Sequence, residues 1–384
     1  RRQRQMCLRD RSGPEATAET GPESRLQRLL WRPDLIVFFS SACIMILELV
    51  AGRIIAPYVG VSLYTWTAVI GVVLAGISLG NYLGGWLADR RASLRLLGAI
   101  FLLGGLSALG ILAVDSLGSL VPDDWPIIVR ILVHITALFF VPSVILGTIS
   151  PVVAKLAVRD LSKTGRTVGR IYGAGSVGSI VGTFATGFLL ISWLGTHVIV
   201  WGVALILMTL GLLFLLGGRW IRLAAAVLIL AGATLLASRL GWLEGPCTRE
   251  TNYFCIKVHD GERDGYPVRV LTLDRLVHSH SSLDDPTRLV YDYEKIYAEV
   301  TAYRALEDDH LSALFVGGGG YTFPRYMDAQ YPGSDIDVIE IDPGVTEVAY
   351  DLLGLDRDGE VVSYNADARL FLEREPTQAY DLIM

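Results

Sequence analysis

Charged residues are scarce in this chain. Asp, Glu, Lys and Arg make up 19% of its 384 residues and hydrophobic residues make up 52%, and the mean hydropathy is +0.46. A soluble globular protein carries about 25% charged residues, because its surface must be covered with polar groups. The composition therefore excludes a protein that is soluble throughout, and it predicts that part of the chain faces lipid.

Basic residues and cysteines are also few. The net charge is −6 and indicates no basic surface of the kind that binds nucleic acid, so we predict no nucleic-acid partner. The four cysteines do not show the spacing of a metal site, and no metal is predicted. Cys247 and Cys255 flank a short loop, and they can form a disulfide if that loop faces an oxidising compartment.

The apolar residues are concentrated between Leu35 and Trp242. Seven apolar stretches in this region reach the roughly twenty residues that a helix needs to cross a bilayer. They span residues 35–54, 63–83, 94–114, 127–149, 172–193, 197–216 and 220–240. Each must be helical, because backbone polar groups in lipid have to be satisfied within the segment. We predict a multi-pass α-helical membrane bundle of about seven spans, with the lipid bilayer as its partner.

Composition divides the chain into four parts. Residues 1–33, rich in Arg, Glu, Gly and Pro, predict a disordered basic tail. Residues 34–243 form the transmembrane helical domain, and residues 244–290 predict the β-hairpin part of a soluble domain. Residues 291–384 predict a Rossmann-like α/β nucleotide-binding domain that is incomplete at its C-terminus, because the sequence stops within a strand.

The basic residues of the bundle are grouped in alternate loops. They are frequent between spans two and three, four and five, and six and seven, and rare in the other loops. These residues are Arg90, Arg91, Arg95, Lys155, Arg159, Lys163, Arg166, Arg170, Arg219 and Arg222. By the positive-inside rule, these loops and the amino terminus are cytoplasmic. With seven spans, we expect the soluble domain of this integral cell-membrane protein to be extracytoplasmic.

Two short motifs in the bundle resemble those of a transporter family. Residues 84–91, Gly-Gly-Trp-Leu-Ala-Asp-Arg-Arg, resemble the loop between the second and third helices of major facilitator transporters. Residues 172–178, Tyr-Gly-Ala-Gly-Ser-Val-Gly, resemble the glycine-rich fifth helix of that superfamily. The resemblance implies a bundle like half of such a transporter, and it agrees with the charge rule on which loops are inside. Transport does not follow from it, because a fold does not carry a function with it.

Glu48 and Arg53 are ionisable residues in the first apolar span of the bundle. Glu48 lies inside the first span and Arg53 lies near its end. Ionisable groups at that depth are costly and are usually paired or functional. Their separation of five residues fits one helical face imperfectly. Two alternatives therefore stay open, a structural pair and a ligand or proton site.

Small residues and one proline are expected to shape the helices. Small residues at helical spacing let two helices approach closely. They are Gly71, Ala75, Gly80 and Gly84 in the second span, and Gly173, Gly178, Gly182 and Gly187 in the fifth. Pro142 predicts a kink in the fourth span, because proline has no N–H for the helix ladder.

The soluble part begins with a hairpin and a helix. Residues 253–259 and 268–273 are alternating runs separated by a turn-rich segment, which predicts a β-hairpin. Residues 291–306 predict an amphipathic helix. Its core-facing residues are expected to be Tyr293, Ile296, Tyr297, Val300 and Tyr303.

A glycine run and two carboxylates follow at the spacing of a nucleotide-binding unit. The apolar run 313–316 leads into the four glycines 317–320, and about twenty residues later a second strand ends in Glu340 and Asp342. A glycine turn lets the backbone approach a ligand, and an acidic residue at the tip of the next strand accepts hydrogen bonds from ribose hydroxyls. A third strand is expected at 361–364, before Asn-Ala-Asp-Ala.

This order of motifs resembles the spermidine and spermine synthases, and it looks most like their membrane-fused branch. The resemblance rests on residues 316–319 (Val-Gly-Gly-Gly), 338–343 (Val-Ile-Glu-Ile-Asp-Pro), 367–372 (Asp-Ala-Arg-Leu-Phe-Leu) and 380–383 (Tyr-Asp-Leu-Ile). It implies binding of decarboxylated S-adenosylmethionine as co-substrate, without a metal. An amine then attacks the carbon beside the sulfonium and releases methylthioadenosine.

The resemblance also assigns residues. The ligand-binding residues that it implies are Gly317, Gly318, Gly319, Gly320, Glu340, Asp342, Asp367 and Ala368. Glu340 corresponds to the ribose-binding carboxylate, and Asp367 corresponds to the residue that contacts the adenine amino group. The residues implied for the polyamine or related amine substrate are Asp274, His278, Tyr297 and Glu299.

The sequence departs from the family pattern at four places. Gly320 stands where the family usually has an aspartate that holds the aminopropyl amine, so intact S-adenosylmethionine becomes an alternative ligand. Ala298 replaces an expected histidine, and His278 stands where a glutamine is common. The family's catalytic aspartates, including the expected general base, correspond to positions beyond Met384, so no catalytic residue is assigned.

Three functions are therefore weighed. The first is a membrane-anchored aminopropyltransferase. The second is another kind of transferase that uses intact S-adenosylmethionine, and the third is a bundle that carries or senses an amine beside a degenerate synthase-like domain. An extracytoplasmic soluble domain favours the third function or an unusual supply of the substrate, because S-adenosylmethionine is cytosolic, whereas a cytoplasmic domain supports catalysis. The resemblance also suggests a homo-oligomer, since soluble members of the family commonly assemble as dimers or tetramers.

Overall fold

The computed structural model describes residues 32–384, apart from 116–121, 123, 159–160, 217–219, 308–309 and 375–378. The predicted disordered tail therefore lies almost entirely outside the described residues. The described chain consists of a helical bundle, an antiparallel sheet, a connecting helix and a parallel sheet with its helices.

Seven helical segments of the described chain are long and apolar enough to cross a membrane, by length and composition alone. This confirms the predicted number of apolar spans. Five of the segments each lie in one long helix. These helices are α1 (Pro33–Val59), α2 (Leu63–Arg91), α3 (Leu94–Asp115), α9 (Thr196–Leu216) and α10 (Trp220–Arg239). The first of these helices extends beyond the predicted end of its span, so Arg53 lies within the helix.

The fourth and fifth segments are interrupted helices. The fourth consists of α4 (Ile127–Ile135), a π-helical turn (Thr136–Phe140), α5 (Val141–Gly147) and α6 (Ile149–Ala157). The fifth consists of a 3₁₀ turn (Leu161–Lys163), α7 (Thr164–Ala185), a second π-helical turn (Thr186–Leu190) and α8 (Ile191–Trp193). Pro142 lies in the first turn of α5, directly after the π-helical turn. The π-helical turn fits a proline that has no N–H to donate to the preceding turn, and the predicted kink itself stays a prediction.

Glycines let α1 and α7 pack with their backbones in contact. A Cβ atom added at Gly178 would lie 2.2 Å from the carbonyl oxygen of Phe38, and one at Gly182 would lie 2.7 Å from that of Ala42. Real Cβ atoms do not approach backbone this closely, so only glycine fits. Gly80 and Gly84 of α2 are equally close to residues 144–148. No described atom lies within 4 Å of an added Cβ at three other predicted positions: Gly71, Gly173 and Gly187.

The first sheet is an antiparallel meander in the order β1-β2-β3-β4. Its strands are β1 (Arg249–Glu250), β2 (Cys255–Arg263), β3 (Tyr266–Leu273) and β4 (Leu276–Ser281). The predicted hairpin is confirmed as β2 and β3, but the predicted turn at 260–265 was too long, because residues 260–263 continue β2 and pair with β3. Asp264 and Gly265 connect these strands, with φ angles of 52° and 81°, as the tightest hairpin turns require. The structure adds β1 and β4, which were too short or too polar to be predicted.

The second sheet is parallel, in the order β7-β6-β5-β8. Its strands are β5 (Ser312–Val316), β6 (Asp335–Glu340), β7 (Val361–Asn365) and β8 (Leu382–Ile383). Helices α12 (Thr322–Gln330), α13 (Pro343–Leu352) and α14 (Ala368–Arg374) connect them in turn. This confirms the predicted α/β unit, in which ligands bind beyond the carboxyl ends of the strands. The glycine run follows β5 at that edge.

Helix α11 (Asp292–Arg304) joins the two sheets, and the prediction of which face it buries was wrong. The residues predicted to face the core are 37–77% exposed. Glu294 and Thr301 are buried instead. Glu294 turns back to its own helix and accepts a hydrogen bond from the Tyr291 N–H at 3.3 Å. The aromatic residues stack on one another, with 5.6 Å between the ring centres of Tyr293 and Tyr297.

Candidate functional site

The glycine turn after β5 adopts a backbone that side chains disfavour. Gly317 and Gly319 have φ angles of 99° and 50°, and Tyr321 has a φ angle of 54°. Positive φ angles cost little at glycine, and they turn successive backbone N–H groups toward one side of the chain. The turn therefore lies at the edge of the sheet where a ligand binds in this type of fold. Its outer amides bond within the protein, that of Gly317 to the Ile339 carbonyl oxygen and that of Tyr321 to the Gly318 carbonyl oxygen, both at 2.8 Å.

The ring of Tyr321 supports the turn from below. Tyr321 is fully buried, and a Cβ atom added at Gly318 would lie 2.3 Å from its ring. The Tyr321 hydroxyl lies 2.9 Å from Oγ1 of Thr346. Sequence reasoning missed Tyr321, whose only signal was its place directly after the glycines. Its contacts make Gly318 a required glycine.

The carboxylate of Glu340 joins the end of β6 to the turn. Glu340 is 6% exposed. Its Oε2 atom accepts hydrogen bonds from the amides of Gly318 at 2.8 Å and Gly319 at 3.4 Å. Its Oε1 atom accepts one from the amide of Asp342 at 2.9 Å. The sequence-predicted ribose carboxylate therefore lies against the glycine turn, with both oxygens held by backbone donors.

Asp342 caps helix α13 and is anchored to Thr251, in the connection between β1 and β2. Its Oδ1 atom accepts a hydrogen bond from the Gly344 amide at 2.9 Å, which is the standard N-cap contact. Its Oδ2 atom accepts one from Oγ1 of Thr251 at 2.5 Å. Burial raises the pKa of Asp342, and these hydrogen bonds and the charge of Arg53 act in the opposite direction. Asp342 is fully buried, so it shapes the site from behind Glu340.

Gly320 packs directly against the hairpin strand β4. A Cβ atom added at Gly320 would lie 1.8 Å from Oγ of Ser279 and 2.3 Å from its Cβ. Ser279 is 2% exposed, and its Oγ has no hydrogen-bond partner among the described residues. Strand β4 thus occupies the space into which an aspartate at position 320 would extend. Sequence reasoning missed Ser279 because no local pattern connects it with Gly320.

Asp274 and His278 lie on the hairpin side of the site. Asp274 has a φ angle of 53° in the turn between β3 and β4, and its Oδ1 accepts a hydrogen bond from the Cys255 amide at 2.9 Å. Burial lowers the pKa of His278, while the carboxylates of Asp274 and Glu340 act in the opposite direction. The His278 side chain is exposed at the surface of β4, so only partial burial of its ring lowers this pKa.

The remaining predicted residues surround this centre. Asp367 accepts hydrogen bonds from the amides of Arg369 at 2.9 Å and Leu370 at 3.3 Å, so it caps α14, which begins at Ala368. Tyr297 is 37% exposed, and its ring centre lies 5.7 Å from that of Phe323 at the start of α12.

Three further predicted residues lie on other elements of the fold. Glu299 is exposed on α11 and Glu48 is half-buried in α1. Arg53 is not paired with Glu48, which was one of the two alternatives; its guanidinium donates to the carbonyl oxygens of Thr251 and Tyr253. A metal is not indicated either: the described ranges hold no group of three His, Cys, Asp or Glu side chains that could bind one.

Comparison with known proteins finds relatives that are named polyamine aminopropyltransferases. No family model matches the chain. It is 27% identical to polyamine aminopropyltransferase 2 of Streptomyces coelicolor, over 97% of this chain and 70% of the relative. It is also 27% identical to the polyamine aminopropyltransferase of Corynebacterium efficiens, over 58% of this chain and 46% of that relative. The chain thus spans about half to two-thirds of the length of these relatives.

One solved structure is similar in sequence. It is a probable spermidine synthase from Corynebacterium glutamicum, 27% identical and covering 32% of this chain and 44% of that chain, with a TM-score of 0.28. A TM-score this low is not evidence that the two chains share a fold. The α/β unit described above therefore rests on the strand order and the turn geometry of this chain.

Proposed function

We propose that this protein is a membrane-embedded aminopropyltransferase. It transfers an aminopropyl group from decarboxylated S-adenosylmethionine to a polyamine or a related amine. The observation that carries the proposal is the similarity of nearly the whole chain to a polyamine aminopropyltransferase. The glycine turn beside Glu340 supports it, since this pair of features is suited to a nucleoside ligand.

The described residues supply binding and orientation. The backbone of residues 317–320 allows close approach of the ligand, and Glu340 accepts hydrogen bonds from the ribose hydroxyls. The amine nitrogen forms a bond to the carbon beside the sulfonium, the carbon–sulfur bond breaks, methylthioadenosine leaves and the nitrogen loses a proton. Holding the two reactants in line accounts for much of the rate in such a displacement. We assign no general base among the described residues.

Transfer is tested with the full-length protein in lipid nanodiscs. The protein is incubated with decarboxylated S-adenosylmethionine and putrescine, spermidine or a longer diamine, and methylthioadenosine is measured by chromatography. We expect release that depends on the amine and falls at least about tenfold in Glu340→Gln, because a charge-assisted hydrogen bond to the ligand is lost. Release no higher than that of heat-treated protein with every amine refutes aminopropyl transfer.

Gly320 favours a second candidate, a transferase that uses intact S-adenosylmethionine. With Gly320 in place, the turn has no carboxylate there to repel the carboxylate of a methionine tail, and the neutral hydroxyl of Ser279 lies in that space. Calorimetric titration with both sulfonium compounds decides between the two candidates. Tighter binding of the decarboxylated compound supports aminopropyl transfer, and tighter binding of the intact compound supports the second candidate.

We also propose that the soluble domain is extracytoplasmic, so aminopropyl transfer there requires a supply of the co-substrate outside the cytosol. Two observations support this side. Its N-terminal segment contacts Arg53 and Thr196 at the end of the bundle opposite to the basic loops, and that segment carries a disulfide between Cys247 and Cys255, as is usual in oxidising compartments.

Single cysteines report the side of the membrane. Glu299→Cys on the soluble domain and Arg166→Cys in a basic loop are compared in whole cells with a membrane-impermeant maleimide, after Cys7 and Cys43 are replaced. We expect labelling of the first and not of the second. Labelling of Arg166→Cys alone places the soluble domain in the cytoplasm and removes this proposal.

A further inference from the structure

Residues 247–255, which include β1 and the first residue of β2, contact both the helical bundle and the α/β unit. We name them the docking segment. The disulfide between Cys247 and Cys255 closes it into a loop, with 5.4 Å between the two Cα atoms. A disulfide reduces the number of conformations that such a loop can adopt. The docking segment therefore presents a defined set of backbone and side-chain groups to its two neighbours.

The bundle holds one side of the docking segment through polar contacts. The guanidinium of Arg53 donates to the carbonyl oxygen of Tyr253 at 2.8 Å and to that of Thr251. The amide and Oγ1 of Thr196, at the start of α9, donate to the Glu250 carboxylate at 2.8 and 3.0 Å. Only an arginine offers a planar fork of donors to two carbonyl oxygens at once.

The other side of the docking segment contacts the residues behind the glycine turn. Oγ1 of Thr251 donates to Asp342 at 2.5 Å. The methyl group of Thr251 lies against Gly344, where an added Cβ atom would be 2.3 Å away. The amide of Asp342 in turn donates to Oε1 of Glu340 at 2.9 Å, whose second oxygen accepts from the Gly318 amide at 2.8 Å.

Polar contacts rather than dense packing hold this segment. A cavity of about 320 Å³ lies beside it, lined by Ser192, residues 249–253, residues 342–344 and Glu347. Protein interiors are otherwise close-packed, so a side chain beside such a space can move when its hydrogen bonds are removed. The position of Thr251, and through it that of Asp342, therefore depends on the donors that Arg53 supplies and on the amides of Tyr253 and Phe254, which donate to Oγ1 of Thr251 at 3.1 and 3.0 Å.

We propose that Arg53 of the helical bundle is a positioning residue for the nucleoside site, acting through Thr251, Asp342 and Glu340 on the glycine turn. This rests on the proposed function in taking that turn as the ligand site. The bundle then does more than anchor the soluble domain, because its first helix fixes the carboxylate that binds the ribose. Reduction of the disulfide loosens the same connection from the other end of the segment.

The connection is tested first without any ligand. Hydrogen–deuterium exchange in the full-length protein in nanodiscs follows the peptide that covers residues 316–323. We expect Arg53→Gln to speed its exchange about threefold to tenfold, since the hydrogen bond from Gly318 to Glu340 opens more often. Arg170→Gln is the matched control, because it removes an arginine that pairs with Asp34 at 2.9 Å elsewhere in the bundle. Unchanged exchange in Arg53→Gln, or a uniform increase throughout the soluble domain, overturns the proposal.

A double-mutant cycle tests whether Arg53 acts through Thr251. Thr251→Val removes the donor to Asp342, and Thr251→Ser keeps it. We expect Thr251→Val to speed exchange of the turn, Thr251→Ser to leave it near the wild-type rate, and Arg53→Gln to add nothing to Thr251→Val, because coupled residues are non-additive. Fully additive effects contradict the connection.

A ligand readout separates this inference from the proposed function. The affinity for S-adenosylmethionine and for its decarboxylated form is measured by calorimetry in the same variants, and we expect a threefold to tenfold loss in Arg53→Gln. Faster exchange of the turn without any aminopropyl transfer leaves the inference standing and removes the function. If the wild-type protein transfers the aminopropyl group but Arg53→Gln does not change the exchange rate of the turn, the proposed function stands and this inference is removed.

Discussion

The Oε2 atom of Glu340 lies 2.8 Å from the amide nitrogen of Gly318. The carboxylate that the sequence assigns to ribose binding thus also holds the glycine turn in shape. A hydrogen bond from a backbone amide to a carboxylate is among the stronger ones in proteins. Changes at Glu340 should therefore affect the order of the turn and the affinity for the ligand together.

Glu340→Gln keeps the size of the side chain and removes its charge. We expect the affinity for S-adenosyl ligands to fall at least about tenfold and the free energy of unfolding of the soluble domain to fall by about 1–3 kcal/mol. Calorimetry and chemical unfolding measure the two effects. Glu360→Gln, at an exposed position of the same domain, should change neither. Unaltered ligand affinity in Glu340→Gln argues against the ribose assignment.

Gly320→Ala should destabilise the soluble domain by about 1–3 kcal/mol, as overpacking of a close-packed interior does. The reason is the contact of an added Cβ with Ser279. Ser279→Gly removes the obstructing atoms, so the double variant should recover most of the stability lost in Gly320→Ala. Thermal unfolding of the four proteins measures this recovery. Purely additive losses show that Ser279 does not decide the residue at position 320.

His278 should make the stability depend on pH. Because burial lowers its pKa, the folded protein binds fewer protons here than the unfolded chain, whose histidines titrate near pH 6.5. Stability is therefore unaffected by this group above about pH 6.5, and it decreases as the pH falls through the lowered pKa of the folded state.

The corresponding measurement is the melting temperature at several pH values. His278→Gln should reduce the loss of stability between about pH 7 and pH 5, because its amide does not titrate. His259→Gln, at another exposed position of the same sheet, is the control and should keep the wild-type profile. An identical pH profile in wild type and His278→Gln contradicts the prediction.

Gly178→Ala should weaken the packing of α1 against α7. The added Cβ would lie 2.2 Å from the Phe38 carbonyl oxygen, whereas no described atom is within 4 Å of one at Gly173. We expect a loss of about 1–3 kcal/mol in Gly178→Ala and little change in Gly173→Ala. Thermal aggregation of the detergent-solubilised protein, followed by size-exclusion chromatography, compares the two. Equal stability of both variants shows that the helices separate without cost.

Much of the fold follows from local patterns in the sequence. The seven apolar spans could be counted because a helix in lipid must satisfy its own backbone, which makes length and hydropathy sufficient. The hairpin turn at Asp264 and Gly265 and the glycine turn before Tyr321 were also visible, because positive φ angles require particular residues. The order of strand, glycines, strand and carboxylate likewise placed Glu340 beside the turn.

Tertiary structure decided which surfaces and side chains meet. The period of α11 shows that it has two faces, but not that Glu294 folds back to its own helix while Tyr293 stays exposed. In the sequence, Gly320 marks a position where the carboxylate of the related family is missing. In the fold, it is the position that packs against Ser279.

Arg53 shows the same limit most clearly. Its partners Thr251 and Tyr253 are 198 and 200 residues away along the chain, and no periodicity connects residues at such separations. The sequence by itself determined the local elements and the residue types of the site, because these depend on backbone geometry and composition. Only the folded chain decided that a residue at the end of the first helix contacts the segment that supports Asp342 and Glu340, since that contact depends on how all the elements pack.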